Sequence, residues 1–174
     1  MNAKPAITPR PPRQLILTTP EHLLAFGFGT GLSPVAPGTV GTLVGVLLFL
    51  PLSLLDPALY AVATALLFGF GCWICGESAR LLGVHDYGGI VFDEIVGYLI
   101  AAAPLLAFPQ LPTLGFAAAM ALAFALFRLF DILKPWPIRV LDRGVHGGIG
   151  IMLDDAVAGV FAALPLWALL HYVG

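Results

Sequence analysis

The stretch VHDYGGIVFDEIVG, residues 84–97, opens on a histidine, crosses two glycines, reaches an acid pair and runs on into apolar sequence. It returns as VHGGIGIMLDDAVAG, residues 145–159, in which His146 and Asp154 keep the interval of His85 and Asp93, and Asp155 stands where Glu94 stood. Charged residues are only 10% of this chain, so two acid pairs at the mouths of two apolar helices mark where its chemistry should lie. Apolar residues make up 59% and mean hydropathy is +0.96, against roughly 45–50% apolar usage in soluble domains. That is a membrane composition. A formal net charge of −2 provides no basic field for nucleic acid.

Five apolar runs follow the first charged segment, at 40–55, 58–75, 95–108, 114–127 and 156–173. Each is somewhat short of the roughly 20 residues that cross a 30 Å hydrocarbon core, and flanking residues supply most of the difference. The third is the weakest, with Pro104 inside it and Pro109 beside it. The expected fold is all-α: a polytopic membrane bundle of about five helices forming one domain over residues 21–174. Residues 1–20, Pro-rich and carrying Lys4, Arg10 and Arg13, are expected to be a mobile segment suited to anionic lipid.

With five spans, the polar segments 27–39, 76–94 and 128–155 emerge on one side, and every charged side chain except Asp56 falls there. The Lys and Arg bias makes that side cytoplasmic. A transport path calls for ionisable groups near mid-membrane or for inverted repeats. The repeat here is parallel and one-sided, which fits a catalytic surface better.

For Asp93 with Glu94, and for Asp154 with Asp155, helix capping is the structural alternative to a site. One carboxylate suffices for a cap, and a second beside it repels the first unless a cation intervenes. Hard divalent ions take carboxylate oxygens and keep water for a phosphate, so Mg²⁺ is the expected ion. Asp131 is a further candidate ligand, and Asp86 either adds another or orients His85. A second cluster, Arg128, Asp131 and Lys134, recurs at spacings of three before Pro135 ends the helix, and Arg139 follows. Arg128, Lys134 and Arg139 are candidates for phosphate oxygens, and Arg143 reads equally as a snorkelling flank. His85 and His146, with Asp86, are the candidates for proton transfer. Residues 27–42, GFGTGLSPVAPGTVGT, either present backbone N–H groups to phosphate or cap a helix through Ser33 or Thr39. Cys72 and Cys75, inside an apolar run with no second pair, read as packing residues rather than a redox or zinc site.

Taken together, GFGTGLSPVAPGTVGT, VHDYGGIVFDEIVG and FRLFDILKPWPIRVLDRGVHGGIGIMLDDAVAG (residues 127–159) resemble the bacterial phosphatidylglycerophosphatase A family over about residues 21–159. The resemblance implies a Mg²⁺-dependent inner-membrane phosphatase that converts phosphatidylglycerophosphate to phosphatidylglycerol and inorganic phosphate. It also implies an all-helical fold in which one helix is surrounded by others. The acids would then hold one or two Mg²⁺ ions that activate a water, with Arg128, Lys134 and Arg139 neutralising the phosphate. No C-x5-R, D-x-D-x-[TV] or K-x6-R-P string offers a covalent nucleophile. The rivals are a metal-dependent lipid phosphotransferase, whose D-G-x2-A-R pattern is missing, and a transporter or non-catalytic membrane scaffold.

Overall fold

The computed structural model describes residues 11–84 and 87–173. Two of the expected catalytic residues, His85 and Asp86, therefore lie outside the described residues. Eight helices follow in order: α1 (Arg13–Thr18), α2 (Pro20–Ala25), α3 (Pro37–Leu52), α4 (Pro57–Leu82), α5 (Phe92–Ala102), α6 (Thr113–Leu133), α7 (Ile138–Gly144) and α8 (Gly147–Val173). Short 3-10 turns at Thr30–Leu32 and Ala103–Ala107 complete the described elements, and no strand occurs among them.

Three helices are long and apolar enough to cross a membrane, by length and composition: Pro57–Leu82, Thr113–Leu133 and Gly147–Tyr172. Of the other two apolar runs, one folds as the 16-residue α3 and the other as the 11-residue α5, which tightens into the 3-10 turn carrying Pro104. Half of the apolar window of α8 is buried, against 28% for α4 and 17% for α6. The last helix is thus the central one, packed by α4, α5, α6 and α7. Leu54, Leu66, Leu114 and Leu164 point outward, a surface that suits lipid.

Local chemistry places the ends. Asp56 caps α4 by accepting from the Ala58 N–H at 2.9 Å, and Gly83 closes it in the left-handed conformation (φ +67°). α6 stops at Leu133, with Lys134 left-handed as its cap directly before Pro135. The start of α8 corrects the sequence expectation. Rather than beginning near residue 156, it starts at Gly147. A Cβ on Gly148 would overlap the Cys72 carbonyl, so glycine lets α8 lie against α4, and that packing outweighs its poor helix propensity of about 1 kcal/mol.

The segment expected to be mobile is described from residue 11, where it carries α1 with Ile16 buried. Buried His22 on α2 shares a 2.8 Å hydrogen bond with Ser78 of α4, and burial lowers its pKa. The glycine-rich loop after α2 docks on the segment before α5: the Val91 N–H donates to the Ala25 carbonyl at 2.9 Å, and Gly31 packs on Gly89 too closely for a side chain. Neither Ser33 nor Thr39 caps α3. Its N-cap is Ala36, without a side-chain bond, and the Ser33 hydroxyl donates to the Val35 carbonyl instead. Cys75 is buried on α4 with its thiol 3.9 Å from Met152 Sδ, a packing contact as expected.

Candidate active site

α5 begins at Phe92 with Val91 as N-cap, so Asp93 and Glu94 occupy its first turn. There the open N–H groups and the helix dipole favour negative charge. The second pair has no such support. Asp154 and Asp155 lie two turns inside α8, buried at 7% and 3% exposure, so neither caps that helix. The two pairs meet because α5 crosses α8 at glycines: a Cβ on Gly159 would stand 2.5 Å from the Gly97 carbonyl oxygen. Each of these glycines follows its acid by four residues, Asp93 to Gly97 and Asp155 to Gly159, one helical turn on the same face.

The result is a single cluster. Ligand oxygens of Asp93, Glu94 and Asp155 all lie within 4.8 Å of one another. Glu94 Oε2 and Asp155 Oδ2 are buried and accept no hydrogen bond, and Asp155 is faced by the carboxylates of Asp93, Asp131 and Asp154. Burial pushes the Glu94 carboxyl up to about 8; Asp155 and Asp131 push the same way, against the Asp93 hydrogen bond and the charge of Arg128. Buried carboxylates without partners are strongly unfavourable. This donor set, all hard oxygen with orphaned atoms, fits a divalent cation.

Two cations brace the cluster from α6. Arg128 Nη1 stands 2.5 Å from Asp131 Oδ2 and 3.7 Å from Glu94 Oε1. Lys134 Nζ donates to Asp142 on α7 and to Asp154, each at 2.6 Å. Burial works against the charged ammonium, but these two bonds outweigh it and the pKa of Lys134 rises. Its left-handed backbone (φ +42°) is unusual for a non-glycine residue and is the kind of local strain that accompanies functional positioning.

A cavity of about 170 Å³ joins these parts, lined by Asp93, Glu94, Asp131, Lys134, Asp142, Asp154, Asp155 and the backbone near Gly88 and Gly150. A larger one of about 660 Å³ lies between α4 and the far end of α5, but its lining is apolar apart from Tyr60 and Thr64. The smaller cavity is where chemistry can occur.

Of the five acids expected to bind metal, three form the cluster, while Asp131 and Asp154 are engaged by Arg128 and Lys134. Arg139 and His146 are exposed, and neither lines the cavity. Two contributors escaped the sequence reading. Asp142 is the second anchor of Lys134, and its eight-residue separation across Pro135 and Pro137 hides that pairing. Gly38, at the start of α3, is the other: a Cβ there would overlap Glu94 Oε1 and approach Arg128 Nη1 to 3.1 Å. The glycine-rich loop thus reaches the site by leaving room for a carboxylate.

Comparison with known proteins gives the family. The family model for phosphatidylglycerophosphatase A matches residues 23–170. Phosphatidylglycerophosphatase A of Haemophilus influenzae is 44% identical over 94% of this chain and 96% of its own. The Escherichia coli protein of the same name is 43% identical over 91% and 88%. A Bacteroides thetaiotaomicron protein provisionally named a phosphatidylinositol-3-phosphatase is 41% identical over 80% and 87%. No solved structure matches significantly. With a family model covering most of the chain and close relatives aligned nearly end to end, the chain belongs to the phosphatidylglycerophosphatase A family.

Proposed function

We propose that this protein hydrolyses the terminal phosphate monoester of phosphatidylglycerophosphate, leaving phosphatidylglycerol and inorganic phosphate. It acts from the bacterial inner membrane, with the polar end of the bundle facing the cytoplasm, where the positive-inside bias puts it. The reading rests on one observation above the others: three carboxylates within 4.8 Å, two of them with buried oxygens that accept no hydrogen bond. Family membership directs that site to a lipid phosphate.

Asp93, Glu94 and Asp155 would hold Mg²⁺, which when bound neutralises phosphate oxygens and makes water a better nucleophile at neutral pH. Lys134 has three donors and spends two on Asp142 and Asp154, so the third can meet a phosphate oxygen. Arg128 keeps Glu94 and Asp131 in place rather than lining the cavity. Proton delivery to the leaving alkoxide is assigned to His85, with Asp86 next in sequence, because they precede Gly88 of the cavity by three and two residues in the chain. His146 is exposed outside the lining.

The relative named for a phosphoinositide favours one second reading, in which the preferred monoester sits on an inositol ring. The test covers both. Purified full-length protein should release phosphate from phosphatidylglycerophosphate with Mg²⁺, stop in EDTA, and lose activity as Asp155→Asn. Activity that survives EDTA and Asp155→Asn sinks the carboxylate mechanism, and faster release from phosphatidylinositol 3-phosphate replaces the substrate.

A further inference from the structure

Three cavities share lining residues in succession, starting from the acid cluster. The acid cavity shares Gly88 with a second cavity of about 510 Å³, lined by Arg13, Ser33, Tyr87 and the backbone of Gly31 and Gly89. That one shares Arg13, Leu32, Ser33 and Pro34 with a third, about 390 Å³, which opens beside the exposed apolar side chains Leu17 and Phe28. From the first to the third the linings change from acidic to mixed, with Arg13 common to the second and third and the apolar side chains Leu17 and Phe28 joining it in the third. The first lining holds six carboxylates and a single ammonium.

A diacyl phospholipid ending in a glycerophosphate has the same order: a phosphate monoester, three carbons of glycerol, a phosphodiester, then the acyl-bearing glycerol. If the monoester occupies the acid cavity, the diester must lie one glycerol length away, outside the ring of carboxylates that would repel it. Neither Arg128 nor Lys134 lines that outer space: Lys134 faces the acid cavity and Arg128 lines neither cavity. Among the described residues Arg13 forms none of the ion pairs and is the one charged side chain lining the middle cavity.

We infer that the middle cavity is a binding site for the phosphodiester of the substrate, with Arg13 as the specificity-determining cation and Leu17 and Phe28 marking the exit of the acyl chains to lipid. This assignment rests on the proposed lipid-phosphatase function and adds a requirement to it. The enzyme should distinguish a monoester that carries a diester one glycerol away from one that does not.

The experiment uses full-length protein in neutral detergent mixed micelles. KM and kcat are measured on phosphatidylglycerophosphate, with phosphatidylglycerol (diester only) and phosphatidate (monoester only) as competing ligands. Arg13→Ala should raise KM and weaken phosphatidylglycerol inhibition about tenfold, the loss expected for one charge-assisted hydrogen bond. Its kcat and its inhibition by phosphatidate should stay within about twofold, Arg13→Lys should recover part of the loss, and the exposed neighbour Gln14→Ala should change nothing. An unchanged KM in Arg13→Ala overturns the assignment, as does an equal weakening of phosphatidate, which would mean general attraction to anionic lipid. Failure of the wild type to release phosphate instead removes the functional reading on which the assignment stands.

Discussion

The two copies of the His-x7-Asp-acid pattern look equivalent in the sequence and are built differently in space. In the first, the chain crosses Gly88 and Gly89 as a loop and delivers Asp93 and Glu94 into the first turn of α5. In the second, the helix has already run two turns when it reaches Asp154 and Asp155. The first pair is stabilised by its own helix terminus; the second depends on groups from elsewhere, Lys134 for Asp154 and, for Asp155, no hydrogen-bond donor to Oδ2. A repeated string has therefore produced two halves of one site rather than two sites. The half that its own helix supports least, Asp155, is where a cation matters most.

The sharpest way to break this comparison is to neutralise the two acids of α8 separately. Asp155→Asn removes a cluster ligand and should lower phosphate release more than ~100-fold. Asp154→Asn frees Lys134 from one of its two anchors and should cost on the order of tenfold. Equal losses in a phosphate-release assay would return Asp154 to the role of ligand.

Next in size is the crossing that joins the halves. Gly159→Ala places a methyl group against the Gly97 carbonyl, and overpacking of this kind costs about 1–3 kcal/mol. Thermal unfolding in detergent should show the loss, and activity should fall further than stability because the ligands separate. A variant as active as wild type would mean that the crossing does not set the cluster.

The pH dependence sharpens the contrast. With its pKa raised to about 8, folded Glu94 keeps a proton that the unfolded chain releases near 4.5. The stabilisation from that group is complete below about 4.5 and is lost as pH rises toward 8. A divalent ion bound as proposed would take the place of the proton, so the rise in Tm produced by Mg²⁺ should grow between pH 6 and 8.5 and vanish in Asp155→Asn. Differential scanning fluorimetry across that range checks both. The smallest effects belong to the exposed His146 of the second copy and to the exposed Arg139 before it. His146→Ala and Arg139→Ala should each change kcat by less than about threefold, where removal of a proton donor would cost about 100-fold or more.

Much of this site was legible in the sequence. The acid pairs stood out against so apolar a chain, the spacing of Arg128, Asp131 and Lys134 put them on one helix face, and Pro135 marked its end. Other features depend on approach between distant backbones, which local periodicity does not record. Gly97, Gly148 and Gly159 look like helix-weakening residues until the carbonyls opposite them are known. For that reason the glycine-rich residues 147–153 read as a loop, and the capping explanation for Asp154 and Asp155 stayed open until the helix start was seen. Asp142 and Gly38 were hidden likewise: one pairs across a proline-bounded turn, and the other contributes only the space its missing side chain leaves.

The length of α5 has a mechanical consequence. Eleven residues rise about 16 Å, near half of a bilayer's hydrocarbon thickness, whereas α8 is long enough to feel both faces. When a bilayer thickens or thins, helices of full length respond by tilting; α5, which does not reach across, is coupled to that change through the long helices it packs on, α8 foremost and then α4 and α6. The acid cluster sits one turn from the joint with α8, so catalytic rate should follow bilayer thickness through the hinge angle between a helix that senses it and one that does not.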